Sequence, residues 1–495
     1  MKPFPSLEIP KNPTETAIYQ SPLIVRYASK TMQRLFSDDV KFGLWRRLWV
    51  ALARAQRRLG LDVTEEQIEE MERYVDDINY DFAKAEEKRI RHDVMAHVHA
   101  YGEQAQKAKG IIHNGATSCF VTDNTDILVM RKALLLVRGK LLGTIKILAG
   151  LALKHKQLPC LCYTHLQPAS PGTVGKRFAL WLQNFVENLK ELDFVLSRLK
   201  MLGCRGATGT ANTFLELFHG DAKKCRELER LIMKEFGFKE VFPISGQTYP
   251  RNMDIQIMNV LAAIAVSAYK MAQDIRVLQS FKELEEPFEK DQVGSSAMAY
   301  KRNPMRSERI DSLARMLMAM PINAMNCAAT QFFERTLDDS AGRRIYLPEG
   351  FMLADSILTI CQNVLNGVVI IKPMIKVRLD GEVPFLATEV IIMKSTERGA
   401  SRQDIHEEIR VISMEVGGAV KNGQISQAEA RKRMAERIGE NDAIPLTAEE
   451  AYESFEAADL IGLCPEQVSG YISKTVRPLL RRYKDDIILD GEVTV

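Results

Sequence analysis

The run 294–304 reads G-S-S-A-M-A-Y-K-R-N-P, and it sets two adjacent serines close to Lys301, Arg302 and Asn303. Gly294 frees the backbone, and serine hydroxyls compete with the main chain for hydrogen bonds, so a loop is expected here rather than a helix. The preceding E-E-P-F-E-K-D-Q (285–292) is highly charged and broken by Pro287. A flexible loop carrying hydroxyls and fixed cations suits a reaction in which negative charge develops on the substrate. An isolated Gly-Ser-Ser is more often an ordinary solvated loop, so the other chemistry-bearing segments have to be weighed with it.

Four such segments stand out. R-H-D at 91–93 puts Arg91, His92 and Asp93 on what reads as one helical stretch, which a solvated face would explain equally well. G-A-T-S at 115–118 sets Thr117 and Ser118 just before a helix, where small hydroxyls either cap the free N–H groups or hold a carboxylate against them. T-H-L-Q-P-A at 164–169 places His165 in a proline-bounded turn ahead of what reads as the longest helix. Histidine is a competent general acid near neutral pH, although a lone histidine is more often structural. E-R-T-L-D-D-S-A-G-R-R at 334–344 groups Arg335, Ser340, Arg343 and Arg344, a set that matches phosphate and surface carboxylates alike.

Helices must position these segments. The first 22 residues carry five prolines and read as an extended lead-in. In 175–202, Trp181, Phe185, Leu189, Leu192, Leu196 and Leu199 recur at spacings of four and three; in 252–280, Ile257, Leu261, Ile264, Ala268, Met271, Ile275 and Leu278 keep a heptad rhythm. Further long helices are expected over 124–156, 306–333 and 349–370. Strand-like alternation is scarce and no fixed-period repeat occurs. The expectation is an all-α chain of three helical domains, 1–117, 118–370 and 371–495, the central one a bundle of five long helices. So much apolar helix surface suggests burial against other subunits as well as within the chain.

Composition narrows the class. Lys plus Arg number 67 against 64 Asp plus Glu, so nothing points to nucleic acid as a partner. The longest apolar run is far short of the ~20 residues that span a bilayer, and the N-terminus lacks an apolar signal core. Eight cysteines are scattered without a C-x-x-C, which fits a reducing cytosol and indicates neither zinc nor a disulfide framework. No Walker or Rossmann glycine pattern appears, so no cofactor or metal is expected.

Taken together, the segments resemble the fumarase/aspartase superfamily, whose sites are built from a T-S stretch, a T-H-x-Q-P-A stretch and a G-S-S-x-M-P-x-K-x-N loop, in that order. Within it the chain resembles the adenylosuccinate lyase family through S-P-L-I-V-R-Y (21–27), E-E-K-R-I-R-H-D-V-M-A-H-V-H (86–99), S-G-Q-T-Y (245–249), E-E-P-F-E-K (285–290), K-R-N-P-M-R-S-E-R (301–309), the 334–344 segment and S-R-Q-D-I-H-E-E-I-R (401–410). The resemblance implies β-elimination of fumarate from adenylosuccinate, giving AMP, and from the ribotide SAICAR, giving AICAR. It implies Ser295 as base and His165 as acid, Lys301 as the cation that steadies a serine alkoxide, and His92 as a further catalytic group. Arg26, Tyr27, Arg91, His92, Asp93, Gln247, Lys301, Asn303, Arg309, Arg335, Ser340 and Arg344 would contact the nucleotide, and Thr117 and Ser118 a succinyl carboxylate. It also implies a homotetramer whose sites each draw on three subunits.

Two residues depart from the family pattern. Ala299 stands where proline is usual, leaving the loop looser, and Asn114 stands where an apolar residue is common. The rival readings are another lyase of the superfamily, such as an argininosuccinate lyase, or a catalytically silent homologue. The phosphate-type segment 334–344 speaks against the first, and the joint presence of Ser295 and His165 against the second.

Overall fold

The computed structural model describes residues 18–493; most of the proline-rich lead-in lies outside them. An irregular turn, Leu23–Tyr27, precedes five helices: α1 (Lys30–Leu35), α2 (Asp38–Arg58), α3 (Glu65–Arg73), α4 (Tyr80–Ile90) and α5 (Asp93–Gln104). The bundle then begins with α6 (Ser118–Lys154), followed by a hairpin of β1 (Pro159–Thr164) and β2 (Gln167–Thr173) and by α7 (Val174–Arg198). Two short helices, α8 (Asn212–Leu217) and α9 (Ala222–Glu235), lead to α10 (Asn252–Ser280). The short strand β3 (Leu284–Glu285), α11 (Met305–Ala319), α12 (Pro321–Ala329), α13 (Asp339–Gly367) and β4 (Val369–Ile370) complete the middle of the chain. The remainder comprises α14 (Lys372–Leu386), α15 (Thr388–Glu397), α16 (Arg402–Lys421), α17 (Gln427–Gly439), α18 (Ala448–Glu453), α19 (Cys464–Tyr471) and α20 (Arg477–Arg482). The all-α class expected from the sequence is what the structure has.

The heptad rhythm of α10 is expressed in full: Ile257, Leu261, Ile264, Ala268, Met271 and Ile275 are completely buried and Leu278 nearly so. Each large member contributes roughly 1.5–3 kcal/mol by leaving water. Among the described residues α10 is also the one helix long and apolar enough to cross a membrane, and its apolar face is spent inside the bundle. Trp181, Phe185, Leu189 and Leu192 line the buried face of α7 in the same way. Two of the expected helices were drawn differently. The span 306–333 breaks at Pro321, whose ring displaces the carbonyl of the preceding turn, and the helix expected over 349–370 begins ten residues earlier, at Asp339. The longest helix is α6, with 37 residues, not the one that follows His165.

Ion pairs set the directions of the bundle helices. Arg251, just before α10, bonds Asp123 in the first turns of α6 at 2.8 Å and Asp339 at the start of α13 at 2.7 Å. At the other end Gly367, the last residue of α13, packs on Pro287, just past α10. So α6, α10 and α13 run parallel, while α7 and α11 return between them. One continuous core joins the N-terminal helices to the bundle and takes in Val468, Ile472 and Val476 near the C-terminus; a second core lies within residues 379–455 and reaches Leu161 of β1.

Candidate active site

At the end of the bundle where α6, α10 and α13 start, charged side chains meet. Below lies a buried network. Asp339 accepts from both Arg251 and Arg335 (2.8 Å), while Arg343 binds Asp254 (2.8 Å) and Asp126 (2.9 Å). The Tyr249 hydroxyl donates to Asp254 at 2.5 Å. Burial alone would push the Asp123 carboxyl up, but the Arg251 and Arg343 guanidiniums outweigh it and hold it below the usual range. Arg343, grouped in the sequence with the phosphate-type residues, is absorbed in this network and serves the scaffold; removing one partner from such a buried set leaves a charge uncompensated.

Above the network stand the segments read as site residues. Arg91, His92 and Asp93 do not share a helix. Arg91 ends α4 in the left-handed conformation (φ 57°), His92 caps α5 and Asp93 is its first residue. This break turns the three side chains out of the helical repeat and into a junction. His92 Nδ1 accepts the Met95 N–H at 3.3 Å, which leaves Nε2, 3.5 Å from Ser118 Oγ, to carry the proton in the neutral ring. Asp93 accepts the Val94 N–H (2.8 Å) and bonds Arg344 (2.9 Å). Its burial would raise the carboxyl pKa, but these two bonds and the charge of Lys41 hold it below the usual range.

Thr117 is the N-cap of α6, yet its hydroxyl makes no capping bond; its carbonyl accepts the Phe120 N–H at 2.9 Å, which leaves the Ser118 and Cys119 N–H groups of the first turn open to an anion. Gln247 reaches the same place. Its side-chain oxygen accepts from Cys119 Sγ at 3.5 Å and its amide donates to the Ala207 carbonyl at 3.1 Å. Its backbone N–H is held by Glu334 at 3.1 Å, a closeness that Gly246 permits, since a Cβ there would sit 2.5 Å from the Glu334 carbonyl oxygen. Ser340 lies half-buried in the first turn of α13. Lys41, on α2, is the residue that sequence reasoning missed. Partial burial and the Arg344 charge lower its pKa, and Asp93 opposes them. It carries no local motif, and only the packing of α2 brings it in.

His165 and Ser295 lie elsewhere. Both follow the far ends of bundle helices, His165 after α6 and Ser295 after α10. His165 and Leu166 form the exposed tip of the β1–β2 hairpin, both with left-handed backbones (φ 54° and 56°). This is the twist a two-residue hairpin turn needs, and residues other than Gly, Asn or Asp adopt it at a cost of about 1–3 kcal/mol each. The hairpin is anchored close to its tip by Tyr163, whose hydroxyl lies 3.4 Å from buried Glu283 just past α10; Arg378 of α14 binds the same carboxylate at 3.1 Å.

The 286–304 segment is a loop, and its closure is local. Asn303 Nδ2 donates to the Gly294 carbonyl at 3.0 Å, and a Cβ on Gly294 would collide with the Lys301 carbonyl oxygen. Ser295 Oγ accepts the Met298 N–H at 3.1 Å and the Ala297 N–H at 3.4 Å. Lys301 is exposed, and Arg302 pairs with Glu285 at 3.1 Å. Beside the start of α11, the Arg309 guanidinium lies 5.4 Å from the ring centre of half-buried Tyr27, and Arg26 adjoins it on an exposed turn. Asn114 engages through its backbone carbonyl, which accepts from Gln56.

The site residues thus form three groups: His92 to Arg344 at one end of the bundle, His165 on the hairpin, and Ser295, Lys301, Arg309 and Tyr27 on and beside the loop. At a rise of 1.5 Å per residue, the 37 residues of α6 set Ser118 and the hairpin about 55 Å apart.

Residues 27–318 match the family described as "Lyase", and residues 384–471 match "Adenylosuccinate lyase C-terminus". The fold is shared with a crystal structure of fumarate lyase from Mesorhizobium sp. BNC1 (TM-score 0.77, 23% identity, 92% of this chain and 100% of that one). It is also shared with a 3-carboxy-cis,cis-muconate lactonizing enzyme from Pseudomonas putida (TM-score 0.78, 22% identity, 91% and 98%). The adenylosuccinate lyases of Schizosaccharomyces pombe and Saccharomyces cerevisiae are each 45% identical to this chain, over 95% and 94% of it and 97% and 96% of themselves. The chain belongs to the adenylosuccinate lyase family of the fumarase/aspartase superfamily.

Proposed function

We propose that Ser295 and His165 are the base and the acid of a carbon–nitrogen lyase that eliminates fumarate from adenylosuccinate, leaving AMP, and from SAICAR, leaving AICAR, in purine nucleotide biosynthesis. In this reaction Ser295 takes the proton from the succinyl Cβ. The electron pair of that C–H bond becomes the fumarate double bond as the C–N bond breaks, and His165 protonates the departing nitrogen. Serine is a weak base at its ordinary pKa. The observation that carries its assignment is the pair of backbone N–H groups already aimed at Ser295 Oγ, which would stabilise an alkoxide there. Lys301, in the same loop, adds positive charge.

Thr117 and Ser118 at the open start of α6 receive a succinyl carboxylate. Arg91, His92, Asp93, Gln247, Arg335, Ser340 and Arg344 bind the remainder of the nucleotide from that end, with His92 positioned to assist proton transfer. Arg26, Tyr27, Arg309 and Asn303 close on it from the loop group. The length of α6, which holds Ser118 and the hairpin far apart, supports a site assembled from more than one chain. The three groups come from three subunits of a homotetramer, in keeping with exposed apolar side chains such as Leu180, Phe194, Val266 and Met316 on the bundle helices. The enzyme works in the cytoplasm, where free thiols such as those of all eight cysteines persist.

The test is Ser295→Ala. Turnover, followed as loss of adenylosuccinate with fumarate identified as co-product, is expected to fall roughly 10²–10⁴-fold while calorimetric substrate affinity changes little. Retention of most of the kcat would remove Ser295 from the role of base.

A further inference from the structure

Two arginines from different helices converge on one buried carboxylate beside the hairpin. Glu283, 1% exposed, lies between α10 and β3, and its main chain is fixed on both sides: its N–H donates to the Leu278 carbonyl at 3.0 Å and its carbonyl accepts the Ile371 N–H at 2.9 Å. Oε1 binds Arg378 Nε of α14 at 3.1 Å, and Oε2 faces Arg177 Nη1 of α7 at 3.8 Å. Each arginine in turn holds β1. Arg177 donates to the Leu161 carbonyl at 2.7 Å, and Arg378 Nη2 donates to the Tyr163 hydroxyl at 3.2 Å. That hydroxyl donates to Glu283 Oε1, which closes the circuit. Phe281 packs beside it, its ring centre 5.3 Å from that of Tyr163 and 4.1 Å from the Arg378 guanidinium carbon.

This cluster grips the hairpin near the turn. Tyr163 pairs with Pro168 across the hairpin, and only the Thr164–Gln167 pair separates it from the His165–Leu166 tip. On β2, by contrast, Ser170 Oγ reaches Glu389 through an exposed bond of 3.4 Å. A buried carboxylate with several partners fixes geometry more firmly than an exposed polar contact, because the low dielectric around it strengthens each bond. Removing its charge leaves two partly buried guanidiniums without a counter-charge, and their grip on β1 is lost with it.

We propose that Glu283 is a positioning residue for His165: it gathers Arg177 and Arg378 so that β1, held at Leu161 and Tyr163, carries the hairpin tip to where His165 protonates the departing nitrogen. The inference rests on the reading of His165 as the acid. Proton transfer needs hydrogen-bond reach, and a misplacement of about 1 Å costs about a hundredfold in rate. The groups that bind the nucleotide lie outside the hairpin, so the effect falls on kcat and not on KM.

Glu283→Gln keeps the shape of the side chain and removes its charge. In the full assembled enzyme it is expected to lower kcat about a hundredfold with KM within about twofold of wild type. Hydrogen exchange of the 160–167 amides should quicken while 290–303 exchanges as in wild type. Undiminished kcat, a loss expressed in KM alone, or faster exchange in 290–303 rather than in the hairpin would each overturn the proposal, the last by placing the action of Glu283 on the loop that carries Ser295. Should Glu283→Gln fail to assemble, Tyr163→Phe decides, since it removes one hydroxyl and keeps the ring. It is expected to lower kcat about tenfold at unchanged KM, and an unaltered kcat would overturn the proposal. His165→Ala with normal kcat would remove the acid assignment and this inference with it, whereas an inactive His165→Ala beside a fully active Glu283→Gln would remove this inference alone.

Discussion

Arg344 Nη2 lies 2.9 Å from Asp93 Oδ2, a bond that spans 251 positions of the chain and ties the start of α13 to the start of α5. The pair is partly exposed, with Arg344 60% and Asp93 24% accessible, so its worth to stability is small. What it fixes is position: it ties Arg344 to the junction at which His92 Nε2 lies 3.5 Å from Ser118 Oγ at the start of α6. Asp93→Asn is expected to raise KM roughly tenfold, as loss of a charge-assisted bond of about 1.5 kcal/mol would, with a smaller change in kcat. Steady-state kinetics with both ribotides decides it, and an unchanged KM for both would break the link between this pair and substrate binding.

Loop order is testable at position 299. The Met298 carbonyl accepts the Lys301 N–H at 3.0 Å, which makes Ala299 the second residue of a β-turn, a position that suits proline. Ala299→Pro is expected to slow hydrogen exchange across 290–303 and to stabilise the closed turn by about 0.4–1 kcal/mol without abolishing activity. Unaltered exchange would show that residue 299 does not set the order of this loop.

Subunit sharing has its own signature. His165→Ala and Ser295→Ala are each expected to be nearly inactive. Unfolded together in equal amounts and refolded, they should regain about a quarter of wild-type activity, the share of sites that receive both intact residues from different chains under random assortment. Tetramers seen by light scattering without recovered activity would place both residues on one chain or misassign one of them.

Acid stability should trace to His97 and His113. Burial, and then the Arg46 and Lys41 charges, depress His97 to about 4; burial and His92 do the same to His113, whose Nδ1 accepts the Trp49 indole N–H at 2.9 Å. Both rings are neutral in the folded chain at a pH where the unfolded chain protonates them. Stability therefore falls as pH drops from about 6.5 toward 4, by up to about 1.4 kcal/mol per unit for each ring, and levels off below. In His97→Phe, which keeps the stacking against Phe42, denaturant midpoints should fall less steeply over that window than in wild type. Parallel slopes would exclude His97 as a source.

Much of this protein is legible in the chain itself. The rhythm from Ile257 to Leu278 specifies the buried face of α10 because periodicity reports which side of a helix must leave water, whatever covers it. Gly294, the two serines and Pro287 specify a loop because they spoil helical hydrogen bonding locally. The split of R-H-D between two helices was not legible: Arg91 takes a left-handed backbone that residue type does not announce, and packing of α4 against α5 imposes it. Nor could Arg343 be told from Arg335 and Arg344, since the three differ only in which Asp carboxylates lie near them once α6, α10 and α13 align. Lys41 beside Asp93 bears no local signal for the same reason. Local sequence determines conformation and burial through interactions a few residues long. Which end of a long helix meets which is set only when whole helices choose a direction, and that choice puts Ser118 and His165 at opposite ends of α6.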